Sequence, residues 1–454
     1  MRNLHCLSVF FLAASTFTVA QSSAPLAQTP PLGWNSWDSY ALTITESQFK
    51  ADVDWFHQHL QQYGWQYVVI DEGWYLAHPG DTANPGYTLS PDGRYEPATN
   101  RFPSAADQKG FKPMADYVHS LGLKFGIHVL EGIPRDAAEK NLPITGSAFH
   151  AAEAADRSDI CRWNSDNYGV ADNAAGQAYY SSLIQLYADW GVDFLKVDCI
   201  SSPYKADAIR MISDAIKKNG RPIILSLSPG PTPLNDASDV ARHAQLWRIS
   251  NDVWDLWSSP HDEHGFPQSL KGQFDLLADW APFAGPGHWP DADMLPIGYL
   301  GPHAGWGPSP RQSRFTPDEA RTLITLWSIA RSPLFIGANL TRMDARTEAL
   351  LTNPEVLAVD QHTTDNRPIP EAKNGNIVMW TARDGADRIL AVFNRSDHPA
   401  KVVIPSWSKL GDQSGLDRFS YSVRDLWQRK NLGVQSSLIV SLPPHGASLY
   451  RLSK

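Results

Sequence analysis

Two acidic residues lie in stretches whose spacing also presents a cation. In Phe194-Leu195-Lys196-Val197-Asp198 an extended chain sends residues i and i+2 to one face, so the Lys196 ammonium and the Asp198 carboxylate point the same way. A cation beside a carboxylate favours its ionised form, which a nucleophile or an electrostatic stabiliser needs. In Leu246-Trp247-Arg248-Ile249-Ser250-Asn251-Asp252 the same alternation puts Arg248, Ser250 and Asp252 on one side. Two carboxylates closing separate strands can flank one bond. If one is ionised and an apolar wall keeps the other protonated, the pair can cleave a glycosidic linkage. A structural ion pair at a sheet rim accounts for either carboxylate alone.

Asp71-Glu72-Gly73-Trp74 and Trp289-Pro290-Asp291-Ala292-Asp293-Met294 each mix carboxylates with indole. Charge-assisted bonds to hydroxyls and a flat apolar ring are what a sugar site needs, whereas loop capping by Asp is the plain alternative. His128 suits a sugar contact or a structural histidine. His261-Asp262-Glu263-His264 offers metal-ligand types without the HExxH spacing, so no metal is expected. GxSxG, GxGxxG and GxxxxGK[ST] are all absent, which leaves serine-hydrolase, dinucleotide and P-loop chemistry without a signature.

Elements must hold these groups, and one unit recurs four times: an amphipathic helix, a glycine stop and a short apolar strand. In the first, Thr45 and Gln48 form a capping box, Phe49, Val53, Phe56 and Leu60 line one helix face, Gly64 ends it, and Tyr67 to Ile70 leads to Asp71. In the others, Gly122 precedes a strand from Lys124 to Ile127 closed by His128, Gly191 a strand to Asp198, and Gly220 a strand to Ser228. A capped helix at Thr316, Pro317 and Glu319 then leads to Leu334–Ile336. Apolar strands alternating with helices require a parallel sheet covered on both faces, and polar groups closing several strands favour a (β/α)8 barrel with its site at one rim. Beyond Gln361 the period drops to two, with Asp384-Gly385 as a hairpin signal, which predicts an antiparallel β-domain.

The predicted organisation is a signal peptide at 1–20, a spacer at 21–30, a barrel at 31–360 and a β-sandwich domain at 361–454. The leader is basic, briefly apolar and small at its end, and predicts a secreted or periplasmic protein. No later run approaches the ~20 apolar residues of a membrane span. With 39 basic against 48 acidic residues and no basic stretch, nucleic acid is excluded as a partner. Cys6 leaves with the leader, and Cys161 and Cys199 either close one disulfide or remain thiols. The 17 Trp, 15 Tyr and 17 Phe fit sugar faces or a packed core; Trp37, Trp74, Trp247 and Trp289 fall inside the site motifs and are expected to be partly sugar-binding surface, while Trp55, Trp190 and Trp327 read as core.

LGWNSW at 32–37, IDEGW at 70–74, YVHSLGLKFGIH at 117–128, WGVDFLKVD at 190–198, WRISND at 247–252 and WPDADMLPIG at 289–298 together resemble glycoside hydrolase family 27, the α-galactosidase and α-N-acetylgalactosaminidase group, in order and spacing. The resemblance implies a (β/α)8 barrel with a C-terminal β-sandwich, a retaining double displacement, a carbohydrate substrate, and no metal or organic cofactor. It assigns Asp198 as nucleophile and Asp252 as acid/base, with carboxyls about 5 to 5.5 Å apart. Trp37, Asp71, Glu72, Lys196, Arg248 and Asp293 would hold the terminal sugar.

Three departures from the family pattern bear on substrate. Glu72 stands where many members carry a second aspartate, on the O4 and O6 side of galactose. β-L-Arabinopyranose is the galactose ring without its hydroxymethyl, so a carboxylate longer by one methylene suggests a preference for β-L-arabinopyranosides over the family's default α-D-galactosides. His128 replaces a tyrosine. Ser228 lies in a small-residue stretch that would tolerate a 2-acetamido group, as in α-N-acetylgalactosaminides. Cys199 falls one place earlier than the family's disulfide cysteine. A barrel that binds sugar without cleaving it is the alternative outside enzymology.

Overall fold

The computed structural model describes residues 26–260, 265–301, 309–370, 375–411 and 414–454. The leader, Cys6 and the His261-Asp262-Glu263-His264 motif lie outside them.

Eight parallel strands form the first sheet: Leu32–Asn35, Tyr67–Ile70, Lys124–Leu130, Phe194–Asp198, Ile224–Leu227, Leu246–Arg248, Trp289–Asp291 and Leu334–Ile336. They pair in chain order, and the first also pairs with the eighth. Leu295, just beyond the seventh strand, closes the ring by bridging Ile336: its N–H donates to the Phe335 carbonyl at 2.7 Å and its carbonyl accepts from Gly337 at 3.2 Å. The result is the expected (β/α)8 barrel.

Strand alternation separates two cores. Tyr67, Val69, Phe194, Ile224, Leu246 and Phe335 fill the barrel interior with Met294, and half-buried Trp37 packs against them. Val68, Ile70, Leu195 and Val197 face outward into the layer shared with the helices. Burying each such side chain contributes about 1.5–3 kcal/mol. Gly33 makes room for this filling, since a Cβ there would lie 2.4 Å from the Phe335 ring.

Helix Glu46–His59 carries the Thr45/Gln48 capping box, and helix Pro317–Ala330 carries one built from Thr316 and Glu319. Between the third and fourth strands lies a small antiparallel sheet, Ile133–Pro134, Asn167–Val170 and Ala155–Asp156, that the repeat pattern does not reveal. The Cys161–Cys199 disulfide joins this insertion to the end of the fourth strand.

The C-terminal segment forms a six-stranded antiparallel sheet and a two-stranded one, Ala400–Ile404 with Leu438–Leu442. The expected hairpin pairs Ile377–Asp384 with Asp387–Asn394 around Gly385, whose φ is 58°. One face of the larger sheet closes a core with Trp407 and Val440. From the other face Trp380, Phe393 and Leu449 join the barrel's outer core. Among the described residues no helix is long and apolar enough to cross a membrane.

Candidate active site

The expected site residues gather at the C-terminal ends of the barrel strands. Lys196 and Asp198 share a strand face with Phe194, whose ring fills the barrel below them. The ammonium is not spent on Asp198, however. Lys196 Nζ pairs with Asp71 Oδ2 at 2.8 Å, and Asn35 Nδ2 donates to the same oxygen at 2.7 Å. Burial alone would raise Asp71, but the Lys196 and His128 charges and the donated bonds outweigh it and hold this carboxyl far below its ordinary value.

Asp198 is contacted from three sides. The Cys199 N–H donates to Oδ1 at 2.9 Å, the Ser228 hydroxyl donates to the same oxygen at 3.2 Å, and His128 Nε2 lies 3.5 Å from Oδ2. Burial pushes Asp198 up; hydrogen bonding and charge from His128, then Lys196 and the Cys199 N–H, more than reverse this and keep it below the usual carboxylate range. His128, rather than Lys196, is therefore its leading partner. The third strand does not stop before His128 as predicted, because Val129 and Leu130 continue the pairing with Val197 and Asp198. Burial would lower His128, but the charges of Asp71 and Asp198, then Glu72, raise it above its ordinary value.

Glu72 reaches the same space. One carboxylate oxygen of Glu72, one of Asp198 and a ring nitrogen of His128 lie within 4.8 Å of one another. Asn164 Nδ2 donates to Glu72 Oε1 at 2.6 Å. Burial, together with the Asp198 and Asp71 charges and against the pull of His128 and Asn164, pushes Glu72 up to about 7. Asn164 escaped the sequence reading because it belongs to the insertion, which shows no periodicity, and meets Glu72 across 92 residues. Nearby, the exposed Tyr87 ring lies over the buried Tyr75 and the half-buried Tyr95, and the Tyr87 and Tyr75 hydroxyls donate to Asp166, two residues past Asn164.

Arg248 ties the remaining pair together: its Nη2 lies 2.8 Å from Asp293 Oδ2 and 3.2 Å from Asp252 Oδ1. Asp293 also accepts the Val253 N–H at 2.7 Å. Burial outweighs Arg248, and with the charges of Asp252 and Asp291 it pushes Asp293 up to about 7. Two expectations change here. Asp252 is not enclosed as expected of a carboxyl kept protonated by burial: its side chain is 36% exposed, and Arg248 and Asp293 lie beside it. Ser250 does not join the rim, because the sixth strand ends at Arg248 and the Ser250 hydroxyl bonds to the Asn251 carbonyl and to Gln273 instead.

The motif tryptophans also divide differently than expected. Only Trp37 keeps exposed surface; Trp74, Trp247 and Trp289 are fully buried. The rings of Trp74 and Trp247 pack into the core behind the residues they accompany, that of Trp289 lies under the Arg331 guanidinium, and Trp74 Nε1 donates to the His128 carbonyl at 2.7 Å, bracing that strand. Ser228, small as predicted, spends its hydroxyl on Asp198.

Carboxyls held low beside others pushed up to about 7 around a barrel mouth suit sugar hydrolysis, and the protein is a glycoside hydrolase. Residues 164–362 match the family model described as alpha galactosidase A, and residues 374–452 match the alpha galactosidase C-terminal beta sandwich domain. The chain is 30% identical to alpha-galactosidase 3 of Arabidopsis thaliana, over 94% of this chain and 82% of that one. It is 27% identical to an alpha-galactosidase of Oryza sativa, over 94% and 85%. Among solved structures it is similar to a family 27 β-L-arabinopyranosidase from Geobacillus stearothermophilus, with 43% identity, a TM-score of 0.87, and coverage of 94% and 97%. The chain belongs to the α-galactosidase family, glycoside hydrolase family 27.

Proposed function

We propose that the protein is a retaining exo-glycosidase for terminal sugars of the α-D-galactosyl configuration, and that Glu72 turns it toward the member lacking a hydroxymethyl group, the β-L-arabinopyranoside. The observation that carries the reaction is that Asp198, at the end of the fourth strand, is held ionised beside His128, while Asp252, four residues past the sixth, is partly exposed beside Arg248 and Asp293. Asp198, held ionised, attacks the anomeric carbon while Asp252 protonates the departing oxygen. Asp252 then takes a proton from water, which displaces Asp198. Asp293 shares Arg248 with Asp252, so it holds a proton within the same network. Asp71 with Lys196 and Trp37 grip the sugar.

The preference for arabinopyranoside rests on Glu72. Its carboxyl is drawn in beside Asp198 and His128 and fixed by Asn164, and the family resemblance puts this position on the O4 and O6 side of the sugar. The 43% identity to an arabinopyranosidase supports the same choice. α-D-Galactosides are the second reading, favoured by the curated relatives. The leader-like first twenty residues and the disulfide support export.

Asp198→Asn tests the reaction. Hydrolysis of aryl glycosides should fall by about 1,000-fold or more with folding intact, and wild-type enzyme should release product with the anomeric configuration of the substrate, seen by NMR during turnover. A product of inverted configuration would remove the double displacement.

A further inference from the structure

We propose that the C-terminal β-domain takes part in catalysis: His445 is a positioning residue that fixes the Asp252 segment through Trp257. The inference rests on Asp252 being the acid/base. Residues 252–260 form neither helix nor strand, so the position of this carboxyl depends on what anchors the chain beyond it. Gln268 N–H donates to the Asp252 carbonyl at 2.8 Å, and Lys271 N–H donates to that of Trp257 at 2.9 Å. Asp255 is fully buried against Arg311 and Arg314.

Trp257 is a further side-chain anchor of this stretch, and it belongs to an interface. Its ring stacks on the His445 imidazole with centroids 3.9 Å apart and planes 11° from parallel. His445 comes from the turn between Leu438–Leu442 and Ala447–Ser453 of the β-domain. Its Nδ1 lies 2.7 Å from Glu319 on a barrel helix and its Nε2 lies 2.8 Å from Asp397 of the β-domain. Its carbonyl accepts the Thr322 hydroxyl at 2.6 Å. The backbone φ is 58°, a left-handed conformation that a residue with a side chain keeps only where its surroundings over-determine it.

These contacts exceed what holding two domains together requires, since Phe393 already meets Phe274 edge-on at 5.1 Å. An imidazole bonded at both nitrogens cannot rotate, so it holds the indole stacked on it in one place. That indole lies five residues from Asp252. A proton donor must stay within hydrogen-bond reach of the leaving oxygen, and a displacement of about 1 Å can cost up to ~100-fold.

The test is kcat/KM of His445→Ala, Trp257→Ala and Trp257→Phe on aryl α-galactosides or β-L-arabinopyranosides of graded leaving-group acidity, with thermal melts to check folding. Loss of a well-placed acid matters most for poor leaving groups. His445→Ala and Trp257→Ala should lose about tenfold on the phenyl glycoside and less than about twofold on the 2,4-dinitrophenyl glycoside, and Trp257→Phe should stay near wild type. Uniform loss across the series, or none, would show that His445 only cements the domains. If His445→Ala fails to fold, the two Trp257 variants, which leave the β-domain's sequence intact, decide the question alone. A wild type that cleaves none of these glycosides would instead overturn the proposed function, and the inference with it.

Discussion

At the scale of single residues, the site works by setting neighbouring carboxyls apart. Asp71 and Asp198 are held low, while Glu72 and Asp293 are pushed up to about 7. Hydrolysis should therefore be fastest at mildly acidic pH, with kcat/KM falling as pH rises through about 7, where Glu72 and Asp293 ionise beside Asp198 and Asp252. Asp293→Asn removes one of the two groups that ionise there, so it should move the basic limb of the kcat/KM profile to higher pH or flatten it. An unmoved limb would separate Asp293 from the acid. The sequence placed Lys196 beside Asp198 correctly by strand alternation, but not the choice of partner. Lys196 meets Asp71 across 125 residues, and only the closed barrel brings those two strand ends together.

At the scale of elements, the repeating helix-and-strand units were legible because period, caps and glycine stops all agreed. The insertion after the third barrel strand was not, since its strands are two to four residues long and its structure depends on distant contacts. The disulfide matters here. It ties the insertion that carries Asn164 to Cys199, whose N–H donates to Asp198 and whose φ of 61° is left-handed. The bridge spans 38 residues, which corresponds to about 3–4 kcal/mol of lost freedom in the unfolded chain. A Cys161→Ala, Cys199→Ala variant should lose roughly that much stability in urea titration and also lose kcat. Stability loss with unchanged kcat would make the bridge purely structural.

At the scale of the whole molecule, buried acids set how stability varies with pH. Asp52 is fully buried, accepts the Tyr40 hydroxyl and the Leu340 and Thr341 N–H groups, and is nonetheless pushed up to about 7 because burial outweighs those bonds. Asp360 is raised as well. A carboxyl raised on folding binds its proton more tightly in the native state, so its contribution is complete below the unfolded value and lost as pH rises to the folded one. Stability should fall from about pH 4 to about pH 7, with a slope approaching ~1.4 kcal/mol per pH unit for each such group. Carboxyls held low, such as Asp71, act in the opposite sense only at lower pH. Asp52→Asn should reduce the slope in melts across that range, and an unchanged slope would assign it elsewhere. The two-part architecture was readable from the change of period near Gln361. The stacking of His445 on Trp257 was not, because neither residue lies in a periodic run.

Glu72 joins these scales, since its extra methylene is a residue-level change, Asn164 of the insertion fixes it, and substrate choice is the outcome. The most direct measurement is kcat/KM on aryl β-L-arabinopyranoside and aryl α-D-galactoside, side by side, for wild type and Glu72→Asp. One methylene of space is worth about 1–3 kcal/mol. The account predicts that wild type prefers the arabinopyranoside and that Glu72→Asp shifts the ratio toward galactoside by roughly tenfold or more. A wild type that prefers galactoside, with a ratio unmoved by Glu72→Asp, would contradict it.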